Sequence, residues 1–218
     1  MTEYAFVGDI HGCFNELENV VARARSQTRH LVFLGDYVNR GKHSRQVIDF
    51  LVSLQESAEI ECAFLRGNHD QAFLDTLDNG EIDVLLRMGG AATIASYVDE
   101  PSDDILTQLR RSVPDEHVQF FRSLPMSMST DRVYASHIPN LGPGEREAAA
   151  GKYRIHGHVV QSNGVPTITD THAFIDTGCG TTPAGSLTCL FWPSLEWIQS
   201  EPRQPELPPI RVARHRYP

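Results

Sequence analysis

Three times in its first seventy residues the chain runs through a short apolar, β-prone stretch and then breaks on a glycine-marked cluster of acid, amide and imidazole groups. Tyr4-Ala5-Phe6-Val7 leads into Gly8-Asp9-Ile10-His11-Gly12, and His30-Leu31-Val32-Phe33-Leu34 into Gly35-Asp36-Tyr37-Val38-Asn39-Arg40-Gly41. Glu61-Cys62-Ala63-Phe64-Leu65 leads into Arg66-Gly67-Asn68-His69-Asp70. Between these runs Phe14, Leu17, Val21 and Ala24, and then Val47, Ile48, Leu51 and Val52, recur at helical spacing. Short apolar strands alternating with amphipathic helices predict βαβ units and a largely parallel sheet, whose βα loops gather at one edge.

From Gln71 to Pro125 the pattern turns helical, with breaks at Asn79-Gly80, Gly89-Gly90, Pro101 and Pro114, and predicts a cap of short helices without recognisable chemistry. Strand-like runs return at 132–136, 152–155, 173–176, 186–190 and 195–198, so two sheets are expected within one domain over residues 1–200. Gly142-Pro143-Gly144-Glu145 lacks the G-K-[ST] ending of a phosphate loop and reads as a turn. Residues 201–218 hold five of the thirteen prolines and a net charge of +2 against −11 for the remainder, which predicts a solvated, extended tail.

A net charge of −9 over 218 residues argues against a nucleic-acid scaffold, since phosphate backbones reward clustered Lys and Arg. A charged substrate therefore needs a local basic pocket. No window approaches the roughly 18 apolar residues of a spanning helix, and Met1 runs into the first strand without a signal-like segment. Cys13, Cys62, Cys179 and Cys189 form neither a C-x-x-C pair nor a disulfide framework. A soluble protein of the reducing cytoplasm, with no membrane partner, is expected.

Carboxylate oxygens from Asp9 and Asp36, imidazole from His11 and an amide oxygen from Asn68 suit a borderline divalent ion such as Mn, Fe or Zn. One Asp-x-His arises often by chance, whereas GDIHG, GDYVNRG and RGNHD in this order, each after an apolar run, do not. In these residues the chain resembles the PPP-type, calcineurin-like metallophosphoesterases, in the branch of bacterial Ser/Thr protein phosphatases and symmetrical diadenosine tetraphosphate hydrolases. The resemblance continues through His137 after Tyr134-Ala135-Ser136 and His158 in Ile155-His156-Gly157-His158, and ends in Ile175-Asp176-Thr177-Gly178-Cys179 and Ser186-Leu187-Thr188.

The resemblance implies an α/β fold of two mixed β-sheets sandwiched between α-helices, and two divalent metal ions, with Mn favoured over Fe or Zn. Asp9 and His11 would hold the first ion, Asn68, His137 and His158 the second, and Asp36 both. Two such ions can activate a water for in-line attack on phosphorus. Arg40 and Arg66, with Asn68, would grip the phosphate, and His69, with Asn39 as its partner, would act as the acid. A third phosphate arginine is left to Arg146 or Arg154, the two arginines between His137 and His158.

One departure bears on substrate. Asn39 stands where most protein phosphatases carry the aspartate that partners the catalytic histidine, and an amide orients the ring without adding charge. Weakened proton donation suits a phosphoanhydride, whose leaving phosphate needs little help, better than a serine ester. Asp70, in place of the usual glutamate, points the same way by resemblance. Nucleoside polyphosphates or related anhydrides are therefore the favoured substrates, with phosphoserine or phosphothreonine in proteins as the alternative, small phosphate esters turned over in either case, and a metal-bound binding module without turnover as the rival class. His156 reads equally as a supporting group or as a satisfied strand histidine. His30, His43, His117, His172 and His215 match no motif and are expected at the surface.

Overall fold

The structure is a computed structural model that describes residues 2–201; the tail expected over 201–218 lies, but for Glu201, outside the described residues. The elements follow in the order β1 (Tyr4–Val7), α1 (Phe14–Ala24), β2 (His30–Phe33), α2 (Ser44–Gln55), β3 (Glu61–Phe64), α3 (Asn68–Asn79), α4 (Ile82–Arg87), α5 (Ala91–Tyr97), α6 (Ile105–Ser112) and α7 (Asp115–Ser123). Then come β4 (Ser127–Ser129), β5 (Val133–Ser136), α8 (Pro143–Ala148), β6 (Tyr153–His156), β7 (Thr167–Ile168), β8 (His172–Phe174), β9 (Thr188–Trp192) and β10 (Trp197–Gln199).

The strands form two five-stranded mixed sheets, ordered β10-β9-β1-β2-β3 and β4-β5-β6-β8-β7. Each contains one parallel trio. In the first, Phe6 pairs with Val32 and Val32 with Ala63; in the second, Ala135 pairs with Ile155 and Ile155 with Ala173. Antiparallel strands complete both sheets. β4 and β7 went unpredicted because Ser-Met-Ser and Thr-Ile carry no apolar run; they are strands by edge pairing, not by intrinsic preference.

Strand alternation sorts the core into two clusters. Phe6, Val32, Leu34, Leu65, Val133, Ala135, Ile155, Ala173, Ile175 and Leu190 fill the space between the sheets. Ala5, Val7, Leu31 and Phe33 face the other way, onto Leu17, Val20 and Val21 of α1 and Val47, Ile48 and Leu51 of α2. Both faces of β1 and β2 are thus buried, which is why they read as continuous apolar runs. The short helices expected over 71–125 are present within the same domain. Phe73, Leu85, Ile94, Tyr97, Leu109 and Phe120 join this outer cluster and extend the helical layer of the first sheet. Among the described residues the second sheet carries only α8 on its outer side, through Tyr134, Leu141 and Ala149. The turn expected at 142–145 opens that helix instead, because Pro143 suits its first turn and the Glu145 carboxylate accepts from Gly142 N at 2.8 Å.

Candidate metal centre

The carboxyl ends of the two parallel trios meet. The first trio supplies Asp9 and His11 after β1, Asp36 after β2, and Asn68 and His69 after β3; the second supplies His137 after β5, His158 after β6 and Asp176 after β8. Contacts across the junction are direct. His137 Nε2 lies 3.0 Å from Asn68 Oδ1 and 3.3 Å from Asp36 Oδ2, and the His158 amide donates to both Asp9 carboxylate oxygens at 3.2 Å.

Asp36 stands between the two groups. Its Oδ1 accepts from the His69 amide at 2.9 Å, which turns Oδ2 inward to 3.6 Å from His11 Nε2 and 3.3 Å from His137 Nε2. Both histidines are oriented from behind by carbonyls. His11 Nδ1 donates to Val38 O at 3.0 Å and His137 Nδ1 to Leu34 O at 3.1 Å, so each turns its Nε2 to the centre. Ligating atoms of His11, Asp36 and His69 fall within 4.8 Å of one another, as do those of Asp36, His137 and His158. Asp9 Oδ2 lies 4.0 Å from His11 Nε2.

The backbone is bent to hold these positions. Among the described residues, six non-glycine residues have positive φ, and five of them are His11, Asp36, Asn39, Arg40 and His158. Each left-handed residue costs on the order of 1 kcal/mol, so strain is concentrated where ligands are presented. Close approach has its own requirement: a Cβ on Gly157 would lie 2.2 Å from Asp9 Oδ1, blocking the contact between Asp9 and the His158 amide.

Asp9, Asp36 and Asp176 are almost wholly buried and face few cations. Burial, and then Asp176, raises the Asp9 carboxyl well above the usual carboxylate range, and burial raises Asp176. Burial would raise Asp36 as well, but His137, His11 and His69 hold it well below that range. His137 answers these acids: burial opposes its charge, yet Asp36 and Asp9 lift it to about 10. His11 is driven by burial, against the pull of Asp36, down to about 3 and is neutral. A buried group of carboxylates short of positive charge, with the neutral His11 Nε2 and an amide oxygen beside it, fits divalent cations.

His69 packs edge-on against His11, and its Nε2 lies 3.9 Å from Asp36 Oδ2. Burial lowers it, with Asp36 opposing, to about 4. Behind it, Asn39 Nδ2 lies 2.9 Å from His69 Nδ1, while Thr93 Oγ1 donates to Asn39 Oδ1 at 2.9 Å, accepts from Asn39 N at 2.8 Å and meets Ser44 Oγ at 2.9 Å. The ring thus rests on an uncharged amide, through its nitrogen. The exposed Arg40 guanidinium reaches over the centre, 2.9 Å from His11 Nε2 and 3.2 Å from His69 Nε2, and also bonds Thr181 Oγ1.

Not every candidate joins the group. The Arg66 guanidinium donates to Gln71 Oε1 at 2.8 Å and to Phe121 O and Arg122 O near the end of α7, where helix carbonyls attract a cation. Arg146 and Arg154 line a separate cavity at the amino end of β6, so neither supplies a third phosphate contact. His156 is a satisfied strand histidine, its Nδ1 3.1 Å from Ser136 Oγ. His117, expected at the surface, is fully buried between Tyr97 Oη and Asp49, both 2.9 Å from its ring. His215 lies outside the described residues.

Three contributors escaped sequence reasoning. Asp176 ends an apolar run, as the other ligand candidates do, and that signal was available. Asp70, read only as a mark of resemblance, accepts from the amides of Gly67, Asp36 and Tyr37 at 2.9, 2.8 and 2.9 Å, tying the second motif to the third. Thr93 lies in a helical segment and carries no local signal.

The profile of the family described as calcineurin-like phosphoesterase matches residues 3–215. Among curated proteins, the bis(5'-nucleosyl)-tetraphosphatase PrpE [asymmetrical] of Bacillus subtilis is 26% identical over 160 residues, covering 69% of this chain and 61% of that protein. The serine/threonine-protein phosphatase BSL2 of Arabidopsis thaliana is 34% identical over 89 residues, 38% of this chain and 9% of that protein. The match thus spans less than two thirds of either relative. A solved structure of a proposed diadenosine tetraphosphatase superposes with a TM-score of 0.65 at 20% identity, covering 94% of this chain and 95% of the other. A protein serine/threonine phosphatase of Saccharomyces cerevisiae superposes at 0.53 with 16% identity, covering 96% and 82%. These superpositions establish a common fold.

Proposed function

The chain belongs to the calcineurin-like phosphoesterase family, and from that premise we propose that it hydrolyses nucleoside polyphosphates or related phosphoanhydrides at a dinuclear metal centre. The observation that carries this reading is Asp36, whose Oδ2 faces His11 Nε2 at 3.6 Å and His137 Nε2 at 3.3 Å. Asp9, His11 and Asp36 would hold one ion; Asp36, Asn68, His137 and His158 the other, with manganese the favoured metal over iron or zinc. When bound, such ions lower the pKa of water and neutralise charge on phosphoryl oxygens.

The chain's own side chains do the rest. Arg40, exposed and forked over His11 and His69, offers N–H donors to a phosphate that approaches the centre. Arg66 is committed to Gln71 and the α7 carbonyls and leaves that grip to Arg40. His69 faces the centre through Nε2 and would protonate the leaving oxygen. Its pKa near 4 leaves it neutral at pH 7, and the Asn39 amide adds no charge to stabilise an imidazolium. Weak proton donation favours an anhydride, whose departing phosphate needs little assistance. Ile138 and Val159 follow His137 and His158 directly and are exposed, giving apolar surface beside the centre.

Protein phosphatase activity is the second reading, supported by similarity to BSL2. The four free cysteines suit a reducing cytoplasm, and among the described residues no helix is long and apolar enough to cross a membrane. The test is a panel of diadenosine tetraphosphate, polyphosphate and a phosphoserine peptide with added manganese. Turnover of the anhydrides at least about tenfold above the peptide is expected, and two ADP or ATP plus AMP as products would distinguish symmetrical from asymmetrical cleavage. Peptide preference would transfer the assignment to the phosphatases, and full metal loading without any turnover would leave a binding module.

A further inference from the structure

At the amino ends of β6 and β8, opposite the edge that carries the metal centre, Arg146, Lys152 and Arg154 line a cavity of about 430 Å³. Its wall combines α8 and the turn that follows it, through Leu141, Ala149 and Ala150, with the strand starts at Tyr153 and Thr171. One carboxylate, Asp170, shares the lining. Lys152 Nζ donates to Ser129 Oγ at 2.7 Å. Neither the Arg146 nor the Arg154 guanidinium has a hydrogen-bonding or ion-pair partner among the described residues. In a chain of net charge −9, three cations around one concavity are an exception that the fold itself does not require.

Arg154 carries most of the argument. It is half-buried on the outer side of the second sheet, opposite His172 in the strand register. A partly desolvated guanidinium without an acceptor costs free energy, and an anionic guest with several oxygens relieves that cost. Guanidinium forks match phosphate bidentately, and the cavity has the size of a small-molecule site. Leu141 and Ala149 add apolar wall on which a ring can lie. We propose that this cavity binds a small phosphate-bearing anion, of nucleoside diphosphate size, at a site separate from the metal centre.

Trp192 reports on it, because its ring packs 5.1 Å from that of Tyr153 in the cavity wall. In the full metal-loaded chain carrying Trp197→Phe, titration with ADP, pyrophosphate and inorganic phosphate should change Trp192 fluorescence saturably, with an affinity that falls as salt rises. ADP tighter than pyrophosphate would identify a nucleotide, and equal affinities recognition of phosphate alone. Arg154→Ala and Arg146→Glu should each weaken binding by about tenfold, and the exposed position of Arg146 makes the second change safe for folding. Arg40→Ala should leave the signal intact. No fluorescence change with any of the three probes, binding unaltered in both cavity variants, or a signal abolished by Arg40→Ala would each overturn the proposal.

Discussion

The two parallel trios meet at one centre but hold their contributions differently. In the first, each candidate ligand sits in a cluster of interlocking neighbours: Asp70 ties the amides of Asp36, Tyr37 and Gly67, Asn39 rests on Thr93, and His11 is fixed by Val38 O. In the second, His137 and His158 stand as single residues after their strands, and the contacts that hold them come from the first trio, through Leu34 O and the Asp9 carboxylate. The first sheet is thus a preformed half-site, and the second supplies groups whose aim depends on it. Asp36 belongs to the first sheet and faces both.

The largest effect should follow from removing that link. Asp36→Asn keeps the shape of the side chain but gives up the charge opposite His11 and His137 together. We expect kcat to fall by about 10³ or more, corresponding to the several kcal/mol that metal-centred charge stabilisation supplies. Metal content, read by elemental analysis, should fall from about two ions per chain towards none. An Asp36→Asn protein that keeps both ions and works within tenfold of the wild type would break the half-site picture.

A smaller contrast lies within the second trio. His137 is buried and bonded to Leu34 O, whereas His158 is exposed. His137→Ala should therefore cost about 2–4 kcal/mol in thermal or denaturant unfolding, by opening a cavity and leaving a buried carbonyl unpaired. His158→Ala should leave stability within about 0.5 kcal/mol of the parent but weaken one metal equivalent by about 10–100-fold in competition with a chelator. Equal losses of stability in the two variants would show that both histidines are built into the fold in the same way.

This difference also explains what could be read from the sequence. The first half-site was legible because turns bounded by Gly8, Gly12, Gly35, Gly41 and Gly67 are local devices, with the chemistry packed within a few residues of each strand end. His137 and His158 carry no such frame and were found only through the order of the segments around them. Asp176 was passed over although it ends β8 as Asp9 ends β1, because its role is a long-range one, the repulsion it exerts on Asp9. The arginines were harder to place for a similar reason. The resemblance implied a phosphate grip for Arg66 and left Arg146 or Arg154 as the third contact, but a long side chain goes where acceptors and space are, here the α7 carbonyls and the far cavity. His117 was assigned to the surface since nothing local announces that Tyr97 and Asp49, from two other helices, will close over it.

The finest test concerns a residue that touches no candidate ligand. Thr93 uses one hydroxyl to donate to Asn39 Oδ1 and to accept from Asn39 N, with Ser44 Oγ as a third partner, all at 2.8–2.9 Å and all buried. Thr93→Val keeps the shape and deletes those bonds, leaving the Asn39 amide free to turn and the imidazole of His69 without a fixed support. Orphaning these groups should cost about 1–3 kcal/mol of stability. If Thr93 serves only the fold, activity per folded molecule should not change. If it aims His69 through Asn39, kcat should fall by about 3–10-fold on a phosphate ester with a poor leaving group at unchanged KM, and much less on a phosphoanhydride, because only the former depends on the proton that His69 delivers. Thr93→Ser, which keeps the hydroxyl, should restore both stability and rate. A uniform loss on both substrates would instead mean that the Asn39-Arg40 loop as a whole had shifted, and with it the phosphate grip proposed for Arg40, whose backbone amide is anchored to Gly89 O at 3.0 Å in the same stretch of chain as Thr93.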